Sequence, residues 1–338
     1  MGFRVRSLQR GEVDDLLACF QAAFGVDDSS LAIVRNSLVN DPYFLPERIR
    51  VGVLDGRVVS HVVILHRAFY AEERVVSVAG VTAVATDPAY QGRGFGTRVM
   101  QDAARIIRER GYDMALLTTR LPRFFARFGF REVPRISGYA CPASALARLS
   151  VDSLWSLERI DYSQHWRALA GVYHQYSYGR TGLQVRDERF WESWPRRGTF
   201  PHGFSAAMDA MAWMAVRGDQ VLAYTAAHCA VEDRHLSVTE LAHLPGCADA
   251  ALALLRLVGE SFCKGGSGRA ILQVGGSAPV LDLLREQRVP VEVEVGPGLM
   301  VWIPNRGWLR DLGLRSVDDA VERLFRPPVP VLWQRDGF

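Results

Sequence analysis

Val81-Thr82-Ala83-Val84-Ala85-Thr86-Asp87-Pro88-Ala89-Tyr90-Gln91-Gly92-Arg93-Gly94-Phe95-Gly96-Thr97 is the stretch on which the fold of this chain turns. Residues 81–86 form a small, partly β-branched apolar run that reads as a strand, Asp87-Pro88 is a turn signal, and residues 97–110 repeat apolar positions at helical spacing. Strand, tight turn, glycine-rich loop and helix in that order aim backbone N–H groups at a phosphate. Two common phosphate loops do not fit. A Walker loop needs Gly-Lys-Ser/Thr, and the single lysine is Lys264. A dinucleotide loop follows the first strand of a βαβ unit and has an acidic residue about 20 positions on. Here several antiparallel strands precede the loop, and the strand at Met114 has no acid near its end.

Working outward, residues 3–8 read as a strand, 11–24 as a helix with Val13, Leu16, Leu17, Phe20 and Phe24 on one face, and 29–39 as a second helix. Residues 49–54 and 58–69 form a hairpin around Asp55-Gly56, a two-residue turn pair. A strand over 75–86 leads into the loop. Beyond its helix come a strand at 114–118, a short helix over 122–128 and a closing strand pair, 130–133 with 136–141. The expected class is α/β, an α+β mixed sheet with helices on its faces.

All eight tryptophans lie beyond residue 150, which fits a boundary near 145–155. Later segments predict strands at 219–230 and 237–242, a helix at 247–262, a strand at 270–274, a helix at 279–287, and a terminal hairpin of 291–295 with 299–303 around Gly296-Pro297-Gly298. That order parallels residues 58–141, which points to a diverged internal duplication. The expected division is 1–147, 148–305, and a C-terminal helix and extended tail over 306–338.

At 338 residues, 49% apolar and 23% charged, the chain suits two packed domains. Net charge is +3, with no Lys/Arg block interleaved with aromatics, so neither nucleic acid nor membrane is an expected partner. Five widely spaced cysteines without a Cys-x-x-Cys argue for reduced thiols, and no metal is expected. Without a signal-type or membrane-spanning apolar run, the expectation is a soluble cytoplasmic protein. Oligomeric state, homo-oligomer included, is left open.

The pattern strand–Pro-x-x-Gln-x-x-Gly-x-Gly–helix, here Pro88 to Gly96, resembles motif A of the GNAT acetyltransferase superfamily. Phe124-Phe125-Ala126-Arg127-Phe128-Gly129-Phe130 resembles that family's second aromatic motif, and the two together span residues 75–133. The resemblance implies two tandem GNAT-like domains, the second degenerate, as in the enhanced-intracellular-survival acetyltransferases but without room for their sterol-carrier-like third domain. Mycothiol-synthase-like enzymes are the alternative template. It also implies acetyl-CoA as co-substrate and no metal. The pyrophosphate would lie on Gln91, Gly92, Arg93, Gly94, Phe95, Gly96 and Thr97, and the pantetheine beside Val84, Ala85 and Thr86, where that strand splays from the next. Ala85 would supply a backbone oxyanion donor.

The family places a tyrosine acid where this chain has Phe125, which has no proton to give. Tyr139 is the first substitute, ahead of Tyr90, Tyr112 or solvent. From the subfamily, the C-terminal carboxylate, here Phe338, is the expected base, with His61 or His66 as lesser candidates; five apart on a strand, the two histidines should face opposite sides. The implied reaction is N-acetyl transfer to an amine, either a small molecule or a protein lysine or N-terminus, by direct attack in a ternary complex. A non-catalytic acyl-CoA-binding module is the alternative, and an aminoacyl- or peptidyl-transferase a third.

Overall fold

The structure is a computed structural model that describes residues 2–134, 136–152, 154–197, 210–230, 235–264, 268–274, 278–296 and 298–325. Fourteen strands are described: β1 (Arg4–Ser7), β2 (Ile49–Leu54), β3 (Arg57–Ala71), β4 (Arg74–Thr86), β5 (Met114–Thr118), β6 (Arg131–Glu132), β7 (Ile136–Pro142), β8 (Ser156–Arg159), β9 (Ala210–Arg217), β10 (Gln220–Ala230), β11 (His235–His243), β12 (Arg269–Leu272), β13 (Glu292–Val295) and β14 (Leu299–Trp302). The α-helices are α1 (Val13–Phe24), α2 (Asp28–Val39), α3 (Phe95–Glu109), α4 (Pro122–Ala126), α5 (Ala143–Leu146), α6 (Tyr162–Ser177), α7 (Glu188–Arg197), α8 (Ala248–Cys263), α9 (Pro279–Glu286) and α10 (Val317–Phe325).

They build two mixed seven-stranded sheets, ordered β1-β2-β3-β4-β5-β14-β6 and β8-β9-β10-β11-β12-β7-β13. Position by position the two orders correspond, so the duplication is visible in the topology. In each sheet the parallel pair is the strand before the long helix and the strand after it: β4 with β5, and β11 with β12. The strand beside β5 and the strand beside β12, however, have changed places. β14, late in the chain, pairs antiparallel with β5 and β6, and β7 pairs with β12 and β13.

This corrects two expectations. Residues 130–133 and 136–141 do not close one sheet together, and 291–295 with 299–303 is not a hairpin; each short connection instead carries the chain from one sheet to the other. Glycines make both crossings sterically feasible. At Gly298 (φ +79°) an added Cβ would lie 2.0 Å from the Thr119 carbonyl oxygen, so only glycine lets the chain pass over the end of β5. At Gly138 a Cβ would meet Ile271 at 2.8 Å and the Leu272 carbonyl oxygen at 3.0 Å, where β7 slots in beside β12. The division expected at 147/148 is crossed by both exchanged strands. The helices that follow them go along: α5 packs on α8, where the absent side chain of Gly259 leaves room for Leu146 and Ala147. Leu324 and Phe325 of α10 lie against the first sheet with Phe69, Val76 and Val78.

The first sheet is covered on both faces. Val62, Ile64, Ala79 and Val81 pack on Val99, Met100, Ala103 and Ile107 of α3. Val51, Val53 and Val63 pack on Leu16 and Leu17 of α1. The alternation of side chains along β3 and the helical spacing along α3 bring these sets together. The second sheet has one large core shared with α6 and α8.

Candidate functional site

β4 and β5 pair only through Val78–Met114, Ala79–Ala115 and Gly80–Leu116. Beyond that point they part. β4 stays on β3 as far as Ser60–Thr86, while β5 turns its other edge to β14 through Thr118–Leu299. A cleft opens between the two strand ends, and the glycine loop sits at its mouth. A bulge lies in β4 at the same level: His61 pairs with Ala85 and Val63 with Thr82, leaving Ala83 and Val84 opposite one residue, with Ala83 at φ +48°.

The strand end is tied to the loop. The Ser60 hydroxyl, fully buried, donates to the Ala85 carbonyl oxygen at 2.8 Å and lies 2.9 Å from Thr86 Oγ1. Gln91 Nε2 donates to the Thr86 carbonyl oxygen at 3.2 Å. Asp87 accepts from the Ala89 amide at 2.9 Å, and this closes the single turn over Pro88–Tyr90. Gly92 (φ +77°) and Gly94 (φ +75°) hold left-handed conformations with open space where a side chain would stand. Gly94 is the N-cap of α3 and supplies no side-chain acceptor, so the first-turn amides have no side-chain cap. An anion at this end of a 15-residue helix also gains from its dipole.

Three exposed arginines rim the mouth. Arg93 stands over the Tyr90 ring at 5.4 Å. Arg98 covers Phe3, which stacks on Phe95 with centroids 4.0 Å apart. Arg127 donates to Thr97 Oγ1 at 3.4 Å. Sequence reasoning missed Phe3, Arg98 and Arg127. Arg127 had a usable signal, since it falls inside the second aromatic motif. Phe3 had none, because its place depends on Gly52 lacking a side chain 52 residues into the chain; a Cβ there would lie 2.5 Å from the Phe3 ring.

The loop residues Gln91 to Thr97 and the strand end Val84 to Thr86 are thus brought together, with Ala85 opposite His61. Tyr139 is not brought to them. Because β7 left for the second sheet, Tyr139 pairs with Leu272 and Val293 and is buried in that sheet's core, so its expected acid role is withdrawn. Phe125 is buried with Phe130 and Phe124 beneath α3. Gly129 of the same motif leaves room for Trp302 of β14: a Cβ would lie 2.9 Å from the indole. Phe338 lies outside the described residues.

His61 and His66 do face opposite sides. His61, fully buried, lies by Phe20 of α1, and neither ring nitrogen makes a well-formed hydrogen bond among the described residues. Burial holds its pKa down at about 4. His66 lies 5.6 Å from the Tyr112 ring, opposite Ala79, away from the cleft end; burial and then Arg48 and Arg67 hold it at about 4. The fold also brings Cys19 of α1 against Asp87, and burial pushes its thiol up to about 11. Among the described residues no group of three or more metal-ligating side chains is found, and no helix is long and apolar enough to cross a membrane.

The second sheet repeats the scaffold without the site. Between β11 and α8 the chain has only Leu244-Pro245-Gly246-Cys247, half the length of the 87–94 connection between β4 and α3. Near the end of β11 stands a buried polar cluster. Arg186 makes a two-pronged pair with Glu240 at 2.8 and 2.9 Å, the Tyr224 hydroxyl donates to Glu240, and the Arg186 guanidinium lies 4.0 Å from the Tyr173 ring centroid.

Two mixed sheets with a loop-and-cleft site in one of them define a tandem GNAT-like fold. Residues 4–133 match the family profile described as acetyltransferase (GNAT) domain, and this part of the chain is a GNAT acetyltransferase domain. A search of curated proteins finds no match. Among solved structures, the chain is similar to a probable N-acyltransferase from Enterococcus faecalis (15% identity, TM-score 0.71, covering 91% of this chain and 75% of that one). It is also similar to a GCN5-related N-acetyltransferase from Anabaena variabilis (14%, 0.67, 90% and 73%), and to Eis1 from Mycobacterium abscessus (18%, 0.62, 89% and 73%).

Proposed function

We propose that the chain is an acetyl-CoA-dependent N-acetyltransferase whose first GNAT domain carries the reaction. The observation that bears most weight is the glycine loop, with no side-chain cap on the α3 amides, at the mouth of the cleft where β4 and β5 part. In this reading the pyrophosphate lies on Gln91 to Thr97 within the arginine rim, and the pantetheine runs along Val84 to Thr86. The thioester carbonyl is then polarised by a backbone N–H at Ala85. A neutral amine attacks that carbonyl, the C–N bond forms, the C–S bond breaks, and the proton lost by the amine passes to a base. The carboxylate of Phe338 is proposed for that base on the subfamily resemblance. With Phe125 in the core and Tyr139 elsewhere, the departing thiolate takes its proton from solvent. Direct transfer is favoured because the one cysteine beside the strand end, Cys19, is held as a thiol by burial.

A second reading, acyl-CoA binding without transfer, is favoured by one observation: Phe125 is buried core where an acid would stand. A titration of acetyl-CoA combined with thiol release over a panel of polyamines, aminoglycosides and lysine peptides separates the two. Transfer predicts binding with turnover, a fall in affinity of ~10-fold or more in Gly94→Glu, where a left-handed glycine is lost and a carboxylate faces the phosphates, and loss of turnover with retained affinity when Phe338 is deleted. Binding without thiol release on any amine would favour the second reading, and no binding would sink both.

A further inference from the structure

We propose that the first sheet carries a separate anion site, a pocket for a small polyanion, on the side away from the glycine loop. A cavity of about 420 Å³ lies between β6, the two-turn 3-10 helix at Gly307–Leu312 and the start of α10. Its size is within the range of small-molecule pockets. Arg131, Arg306, Arg310 and Arg315 line it, over a floor that includes the buried Leu309 and Leu314. Arginine is about one residue in nine of this chain but four of the ten around this cavity, a local excess that general composition does not supply.

The nearby acids offset that charge only in part, and each has partners of its own. Asp318 pairs with Arg131. Asp319 accepts from the backbone amides of Arg315 and Ser316 at 2.9 and 3.1 Å. Asp311, beside Arg310, pairs with Arg74. Arg306, Arg310 and Arg315 therefore present guanidinium groups with no acidic partner among the described residues. Three like charges around one concavity repel each other unless an anion joins them. Planar forks of this kind match paired oxygens of phosphate or carboxylate bidentately. The site is distinct from the cleft: it sits at the β6 edge of the sheet, beyond β5 and β14, on the face covered by α10 rather than α3.

The shared chemistry is two or more oxyanion groups on one small molecule, and inorganic pyrophosphate and citrate are the probes that separate a phosphoryl from a polycarboxylate source. Calorimetric titration at near-physiological salt is run on the full chain, on Gly94→Glu and on the double variant Arg310→Glu, Arg315→Glu. The proposal expects saturable binding of at least one probe that persists in Gly94→Glu, where the loop no longer takes a share of it, and that is weakened ~10-fold or more in the double variant. The thermal midpoint of the double variant without probe should match that of the parent, since both positions are exposed. The tighter probe assigns the source. No saturable binding of either probe, equal affinity in the double variant, or loss of binding in Gly94→Glu would each overturn the proposal.

Discussion

At the scale of single residues, His61 combines the deepest burial with the least support. Its imidazole is fully buried, neither nitrogen makes a well-formed hydrogen bond among the described residues, and its pKa falls to about 4 because desolvation of the charged form outweighs the support of the nearby Ala83 backbone. A folded-state value below the ordinary 6.5 means that the unfolded chain binds this proton first. The corresponding stability is complete above about pH 6.5 and is lost as pH falls toward 4, up to ~3 kcal/mol for a shift of this size. Urea midpoints of the parent should therefore drop more steeply over that window than those of His61→Gln; parallel curves would remove His61 from the account. The opposite faces of His61 and His66 were legible in the sequence from strand parity. The poorly bonded nitrogens were not, because they depend on how Phe20 of α1 covers the strand.

Among elements, most were legible from periodicity and turn chemistry. Asp55-Gly56 forms the expected turn, with both residues at positive φ. α3 begins at Phe95, two residues before the expected start, because Gly94 in the left-handed region serves as its N-cap. α6 went unread although Asp161 caps it and Trp166, Leu169, Val172, Tyr173 and Tyr176 line one face; the sequence signal was present. What no periodicity reveals is the pairing of Arg186, from the segment after α6, with Glu240 on β11. Both side chains are at most 5% exposed. Removing one partner strands a buried charge, so Glu240→Ala should destabilise by about 3–5 kcal/mol, while Arg186→Met with Glu240→Leu should be milder than the single change. Chemical denaturation of the three proteins checks this, and a double variant weaker than Glu240→Ala would contradict it.

For the whole molecule the reciprocal exchange of β7 and β14 makes the halves interdependent. A fragment of residues 1–147 keeps β5 and β6 but loses β14, which lies between them, and loses Trp308, Leu309, Leu324 and Phe325 from the core over Phe69, Val76 and Val78. That fragment should not reach a folded state on its own, and the full chain should unfold in one transition followed alike by far-UV circular dichroism and tryptophan fluorescence. A well-dispersed amide NMR spectrum from the fragment would show the exchange to be dispensable.

By itself the sequence determined the local conformations, the glycine loop's among them. They rest on short-range effects, namely glycine's access to positive φ, alternation along strands and 3.6-residue spacing along helices. Tertiary structure decided which sheet each closing strand joins, and so which side chains share the cleft. A strand's alternating pattern says which face is buried but not which neighbour supplies the hydrogen bonds. Tyr139 reads equally well in either sheet, and only the passage of Gly298 over Thr119 and of Gly138 beside Leu272 places β14, and not Tyr139, next to β5.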